Sequence, residues 1–252
     1  TTGLSAPGFG LPEFSIAGYV DDQQTELYTS DTRKLVPVVY WMKENESPEL
    51  WEIFTRRNKA HEKLFRYEVE LWKKRLNHTE GFHILQVVLG CELRDDGSTV
   101  GYEQFRYDGE EVMFYDTSTR LYIATMAEAQ TITQRWNGPG VGRVEITRNF
   151  MENECIERLK RFTMYGREDL ERRVRPGVKV SGQESDGVTK LHCQVYGFHP
   201  RAVDVKWMKN GIDQVPSYQT THVLPNPDGT YQIRVTGEVI PQEGDSYSCY
   251  VE

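Results

Sequence analysis

The chain has 252 residues, a net charge of −8 and a hydrophobic fraction of 38%. Its length suits two or three domains rather than one core, and the acidic balance argues against nucleic acid as a partner. No apolar run approaches the roughly 18 residues of a membrane span, and the first residues do not read as a signal peptide.

From the N-terminus, residues 13–20 and Glu26-Leu27-Tyr28 read as strands joined through turn-forming Asp21-Asp22. Ser47-Pro48-Glu49 then opens a helix, because Pro suits a first turn. Leu50, Phe54, His61, Leu64, Leu71 and Trp72 recur near three to four residues, and no Gly or Pro interrupts before Gly81. A helix over 50–76 would be roughly 40 Å long. The same grammar repeats. Residues 84–89, 101–107, 111–115 and 121–124 read as strands, with Asp96-Gly97 and Asp108-Gly109 as turns, and Ala127 opens a second helical region to about Arg173. Three glycines and a proline in Asn137-Gly138-Pro139-Gly140-Val141-Gly142 split that region into a piece ending near Trp136 and another starting near Val144. Strands then a helix, twice over, predict one antiparallel sheet carrying two long helices on the same face. The trough between such helices is a natural ligand site.

The last third has an immunoglobulin signature. Cys193 and Cys249 have the separation of an inter-sheet disulfide, Trp207 is placed to pack against it, and Tyr247 precedes the second cysteine by two as in a tyrosine corner. Alternating runs at 190–195, 203–207 and 231–235 supply strands. Cys91 and Cys155, the other two cysteines, also lack the short spacing of a metal site. Two long-loop disulfides in an oxidising compartment account for all four. The sequon Asn77-His78-Thr79 fits the same compartment; Asn45-Glu46-Ser47 is weaker because Pro48 follows.

Catalytic chemistry finds no constellation. The glycine run at 138–142 lacks the Lys-Ser/Thr of a phosphate loop, no Ser sits in a nucleophile elbow, and Asp95-Asp96 suits a turn. His61, His78, His83, His192, His199 and His222 have no metal-ligand spacing, so solvated or packing roles are expected. The chain reads as a non-enzyme with no cofactor and no metal.

Several strings occur together in a telling order: Gly18-Tyr19-Val20-Asp21-Asp22, Ser47-Pro48-Glu49-Leu50-Trp51, Gly90-Cys91, Gly101-Tyr102, Tyr107-Asp108-Gly109, Gly197-Phe198-His199-Pro200 and Asp228-Gly229-Thr230-Tyr231. In these the chain resembles the major histocompatibility complex class I heavy chains over nearly its whole length. The resemblance implies two groove domains, 1–81 and 82–173, and an immunoglobulin C1-type domain at 174–252. It implies that Cys91–Cys155 ties the second groove helix to the floor, that Asn77 carries a sugar beyond the first helix, and that beta-2 microglobulin is the noncovalent partner. It further implies a cell-surface ectodomain whose membrane anchor belongs to the full-length protein, and T-cell receptors as readers. The family's first strand would begin mostly before Thr1, and its last immunoglobulin strand would follow Glu252.

By the same resemblance, the groove is lined by Leu50, Phe54, Arg57, His61, Leu64, Glu68, Leu71 and Arg75 from the first helix. The floor gives Val87, Leu89, Glu103 and Phe105, and the second helix Ile132, Arg135, Trp136, Phe150, Arg158 and Phe162. Relatives that hold peptide ends do so with tyrosines and a Thr, Lys and Trp. Here Leu50, Phe150 and Phe162 replace tyrosines, Arg158 a tryptophan, Ile132 the threonine and Arg135 the lysine. Arg75 takes the far-end tyrosine place, and Trp136 is retained. A phenyl ring cannot bond a peptide amine, so the amino-terminal clamp is expected to be lost. A mostly apolar trough with Glu103 as its polar exception follows. The expectation is a nonclassical heavy chain displaying a restricted peptide or small apolar ligand. The alternatives are ordinary peptide presentation and a closed-groove carrier or receptor.

Overall fold

Left-handed turn residues space the strands of the N-terminal half of the chain. Asp21 (φ 50°), Gly97 (φ 81°) and the Asp108-Gly109 pair (φ 51° and 88°) fold successive strands back on themselves. The structure, a computed structural model, describes residues 1–5 and 10–252. It divides into two units, Thr1–Gly166 and Arg167–Glu252.

In the first unit the strands are β1 (Thr2–Leu4), β2 (Phe14–Val20), β3 (Gln23–Thr29), β4 (Leu35–Pro37), β5 (Ile84–Leu93), β6 (Thr99–Tyr107), β7 (Glu110–Asp116) and β8 (Leu121–Ala124). They form one antiparallel sheet in the order β4-β3-β2-β1-β5-β6-β7-β8. Short β1 joins its two halves, with Thr2 opposite both Ser15 of β2 and Gln86 of β5. Period-two alternation buries Phe14, Tyr28, Leu85, Phe105, Tyr107 and Tyr122 in one core.

Helix α1 (Tyr40–Asn45), which the sequence pattern did not reveal, buries Trp41 and Met42. Helix α2 (Pro48–Arg75) runs unbroken for 28 residues, as the absence of Gly and Pro predicts. Ser47 caps it, accepting the Leu50 N–H at 3.3 Å. Its buried residues Glu62, Phe65, Val69 and Trp72 recur at three and four. A Schellman motif ends it: the Asn77 N–H reaches Lys74 O at 3.2 Å and the His78 N–H reaches Lys73 O at 2.9 Å, with Asn77 at φ 56°.

The second helical region is segmented. A 3-10 turn (Ala127–Ala129) leads into α3 (Gln130–Asn137), the glycine run breaks the helix, and α4 (Arg143–Asn149) resumes behind left-handed Gly142 (φ 67°). A π turn at Phe150–Glu154 then precedes α5 (Cys155–Tyr165). The Cys91–Cys155 disulfide ties α5 to β5. Helix was expected to about Arg173 but stops at Gly166, where a Cβ would come within 2.7 Å of the Trp41 ring. Only the short α6 (Arg167–Leu170) follows, in the second unit.

The second unit's strands are β9 (Gly177–Ser185), β10 (Val188–Phe198), β11 (Val205–Lys209), β12 (Asp213–Val215), β13 (Ser217–Thr220), β14 (Leu224–Pro225), β15 (Tyr231–Val239) and β16 (Tyr247–Val251). One sheet runs β13-β15-β10-β9 with β14 on β15, and the other runs β12-β11-β16. Cys193–Cys249 pins them together. Trp207 is fully buried, with its indole N–H on Val235 O at 3.2 Å. Tyr247 differs from the usual corner: its hydroxyl donates to the Asp245 carboxylate at 3.2 Å rather than to backbone. That carboxylate also accepts the Gln242 N–H and pairs with Lys209 Nζ, both at 2.9 Å.

Candidate functional site

The centre of the trough is built on Glu103, an acid that alternation along β6 turns toward the helices. Only 2% exposed, it could not remain there without partners. The Tyr122 hydroxyl donates to its Oε2 at 2.6 Å, Thr147 Oγ1 donates to the same oxygen at 3.2 Å, and Arg143 Nη2 pairs with Oε1. Burial, and then the Glu103 charge, push the Tyr122 phenol far up, so it serves as a donor. The guanidinium carbon of Arg143 lies 5.0 Å from the Trp136 ring centroid and 5.9 Å from that of Tyr122. Arg143 is the first residue of α4, directly behind the glycine run, so the break aims this cation into the trough. Opposite it on α2, half-buried Glu68 is raised by burial, an effect that the Arg143 charge opposes and the Glu103 charge reinforces.

Arginines also bridge both ends. Arg158 of α5 lies 4.6 Å from the Phe54 ring of α2 and 5.6 Å from Phe162, and its Nη2 stands 3.7 Å from Glu26 Oε1 on β3. Glu26 Oε2 and Arg158 Nε are buried there without a hydrogen-bond partner among the described residues. Burial raises the Glu26 carboxyl, partly countered by Arg158. At the far end Arg75 of α2 crosses to the second half, donating from Nη1 to Thr131 Oγ1 at 2.7 Å and to Glu128 O at 3.3 Å. Arg75, in the far-end tyrosine place, is thus already engaged by protein acceptors.

The other expected lining residues are distributed unevenly. Leu50, Leu71, Val87 and Phe150 are half-buried, and Arg57, Leu64, Leu89 and Arg135 are exposed. His61 stands edge-on to Phe14 of the floor with ring centroids 5.8 Å apart. Phe105 is covered by the Trp136 ring at 5.4 Å, and Ile132 and Phe162 are each only 7% exposed, so these three present little surface. The trough is therefore less apolar than the side-chain list suggests, because arginine–glutamate pairs join its second wall to its floor. A cavity of about 450 Å³ beside Arg158 touches Glu26, Leu89, Phe150 and Phe162. It also reaches Ala17, Val88 and Tyr102 on the other face, passing between β2 and β5 where β1 does not extend, so its volume does not measure ligand room.

Sequence reasoning missed Arg143, Glu26, Tyr122 and Thr147. The one local signal was the glycine run, which marked where a side chain could be re-aimed. Asn77 of the sequon is exposed and left-handed, at the end of α2.

Residues 1–170 match the family model "Class I Histocompatibility antigen, domains alpha 1 and 2", and residues 177–252 match the "Immunoglobulin C1-set domain". The chain is 39% identical over 251 residues to major histocompatibility complex class I-related protein 1 of Bos taurus, covering 99% of this chain and 74% of that one. It is 34% identical over 251 residues to the class I histocompatibility antigen F10 alpha chain of Gallus gallus, with coverage of 100% and 72%. Identity to the hereditary hemochromatosis protein of Homo sapiens is 32% over 254 residues, with coverage of 99% and 72%.

Proposed function

The chain belongs to the class I histocompatibility antigen family, and from that premise we propose that it is a nonclassical heavy chain. On this reading it pairs with beta-2 microglobulin and displays a short peptide or small ligand to T-cell receptors at the cell surface. The observation that carries the reading is the set of side-chain crossings: Phe54–Arg158 at one end, Glu103–Arg143 in the middle, Arg75–Thr131 at the other end. A peptide lying the length of the trough must displace the two helix-to-helix contacts, and must ride over or open the Glu103–Arg143 pair, which joins the floor to α4. Opening the Glu103–Arg143 pair strands a buried carboxylate at a cost of about 2–3 kcal/mol, less than for a fully buried pair because Arg143 is 33% exposed. A compact ligand seated between two crossings displaces none of them.

Pairing with a light chain is supported by the sheet's other face. Tyr19, Val88, Tyr102 and Ile123 are 60%, 49%, 42% and 37% exposed and alternate with side chains turned toward the helices. An apolar sheet face of this kind calls for a covering partner. No helix among the described residues is long and apolar enough to cross a membrane, so surface display relies on an anchor outside them.

The crossings also favour a second reading, a closed-groove carrier or receptor. Refolding with beta-2 microglobulin in the presence of a cell extract, followed by acid elution and mass spectrometry, separates the readings. One dominant short peptide or small molecule is expected. A broad set of peptides of common length would return the molecule to ordinary presentation, and an empty eluate would favour the carrier.

A further inference from the structure

Outside the trough, the end of α2, the segment entering β5 and the β6–β7 turn bring His78, His83 and Asp108 together, with one donor atom from each lying within 4.8 Å of the others. Each is placed by backbone rather than by chance of rotamer. The Schellman motif ending α2 sets His78. His83 precedes β5, its N–H held by Ser5 Oγ at 2.9 Å. Asp108 sits in the left-handed β6–β7 turn and accepts the Ile84 N–H on Oδ1 at 2.9 Å. The two imidazoles stack with centroids 4.2 Å apart.

We propose that His78, His83 and Asp108 form a binding site for one divalent transition cation of the zinc class. The surrounding contacts are those of a ligand shell. His83 Nε2 donates to Glu80 O at 3.0 Å, which leaves Nδ1 directed at Asp108 Oδ2, 2.8 Å away. A ring nitrogen donating to a backbone carbonyl is the usual way a metal-bound imidazole is oriented. The Tyr107 hydroxyl, 3.1 Å from His78 Nδ1, orients the other ring. A cation takes the place of the proton shared by His83 and Asp108, and that proton leaves to solvent. Tetrahedral bonds of about 2.0–2.1 Å put donors roughly 3.3 Å apart, so the His83–Asp108 pair opens from 2.8 Å and His78 swings out of its stack with His83 to bring its ring plane onto the ion. Two imidazoles and one carboxylate favour zinc, nickel or copper over calcium or magnesium. Asp108 is 39% exposed at its side chain, leaving room for a fourth ligand from water or a partner. Such an ion would fasten the end of α2 to the floor beside the Asn77 sequon. It does not depend on what the trough holds.

The test uses the protein in the form in which it refolds, stripped with chelator and titrated with zinc chloride. One zinc per chain is expected, as is a visible absorption band on loading with cobalt(II). His78→Gln, which leaves the Asn77-X-Thr79 sequon intact, and His83→Gln should each weaken zinc binding at least tenfold, while His192→Gln should leave it unchanged. Failure of the unaltered protein to bind zinc at 100-fold molar excess would overturn the proposal. So would unchanged affinity in both His78→Gln and His83→Gln.

Discussion

Glu103 depends on its partners more than any other acid in the trough. Replacing Arg143 with Met removes its cation and should lower the unfolding free energy by about 2–3 kcal/mol. This lies below the roughly 3–5 kcal/mol of a fully buried pair, because the Arg143 side chain is 33% exposed. Adding Glu103→Gln should recover most of the loss, since the amide still meets Tyr122 and Thr147; urea unfolding of the parent, the Arg143→Met variant and the double variant measures both steps. Glu68 has the opposite problem, a half-buried carboxylate raised from its ordinary value of 4.5 mainly by burial. Folding disfavours its ionised form, so the native protein gains stability as pH falls through the raised value. Glu68→Gln should therefore melt higher than the parent at pH 7.5, with the advantage gone near pH 4. Asp245 shows the reverse sign. Lys209 and then the Gln242 N–H hold its carboxyl at about 2. Its contribution is complete above the unfolded value of about 3.9 and is lost as pH falls to about 2. Asp245→Asn should destabilise at pH 6, and the difference from the parent should close below pH 4 in a thermal-melt series.

At the scale of elements, the two helical regions obey different rules. Helix α2 is continuous because its composition lets it be, and its capping and apolar spacing were legible in advance. The second region bends twice, and only the first bend was legible. Gly142 opens α4 at φ 67°, a conformation costing other L-residues roughly 1–2 kcal/mol. Gly142→Ala should lower the thermal midpoint while Gly142→Asn, which tolerates that geometry, should lower it less. The π turn at Phe150–Glu154 has no Gly or Pro to announce it. Met151 within it packs where a Cβ on Gly101 would stand, and the disulfide anchor at Cys155 follows directly, so contacts with the floor fix its register.

For the molecule as a whole, the exposed apolar face of the sheet decides behaviour in solution. The chain refolded alone should aggregate, whereas refolding with beta-2 microglobulin should give a monodisperse complex. A stable monomer of the chain by itself in light scattering would refute light-chain dependence.

The sequence by itself determined the backbone plan. Uninterrupted three-to-four spacing specified α2, glycine and proline specified the break before α4, left-handed turn residues separated the strands, and the Cys193, Trp207 and Cys249 spacing specified the immunoglobulin sandwich. These are local signals, because propensity, turn chemistry and side-chain alternation act within a few residues. The tertiary structure alone decided that Arg143 meets Glu103, that Arg158 meets Glu26 and Phe54, and that His78 and His83 meet Asp108. Which charges become partners depends on which strands and helices the sheet brings together, and a buried charge must take whatever counter-charge that packing supplies.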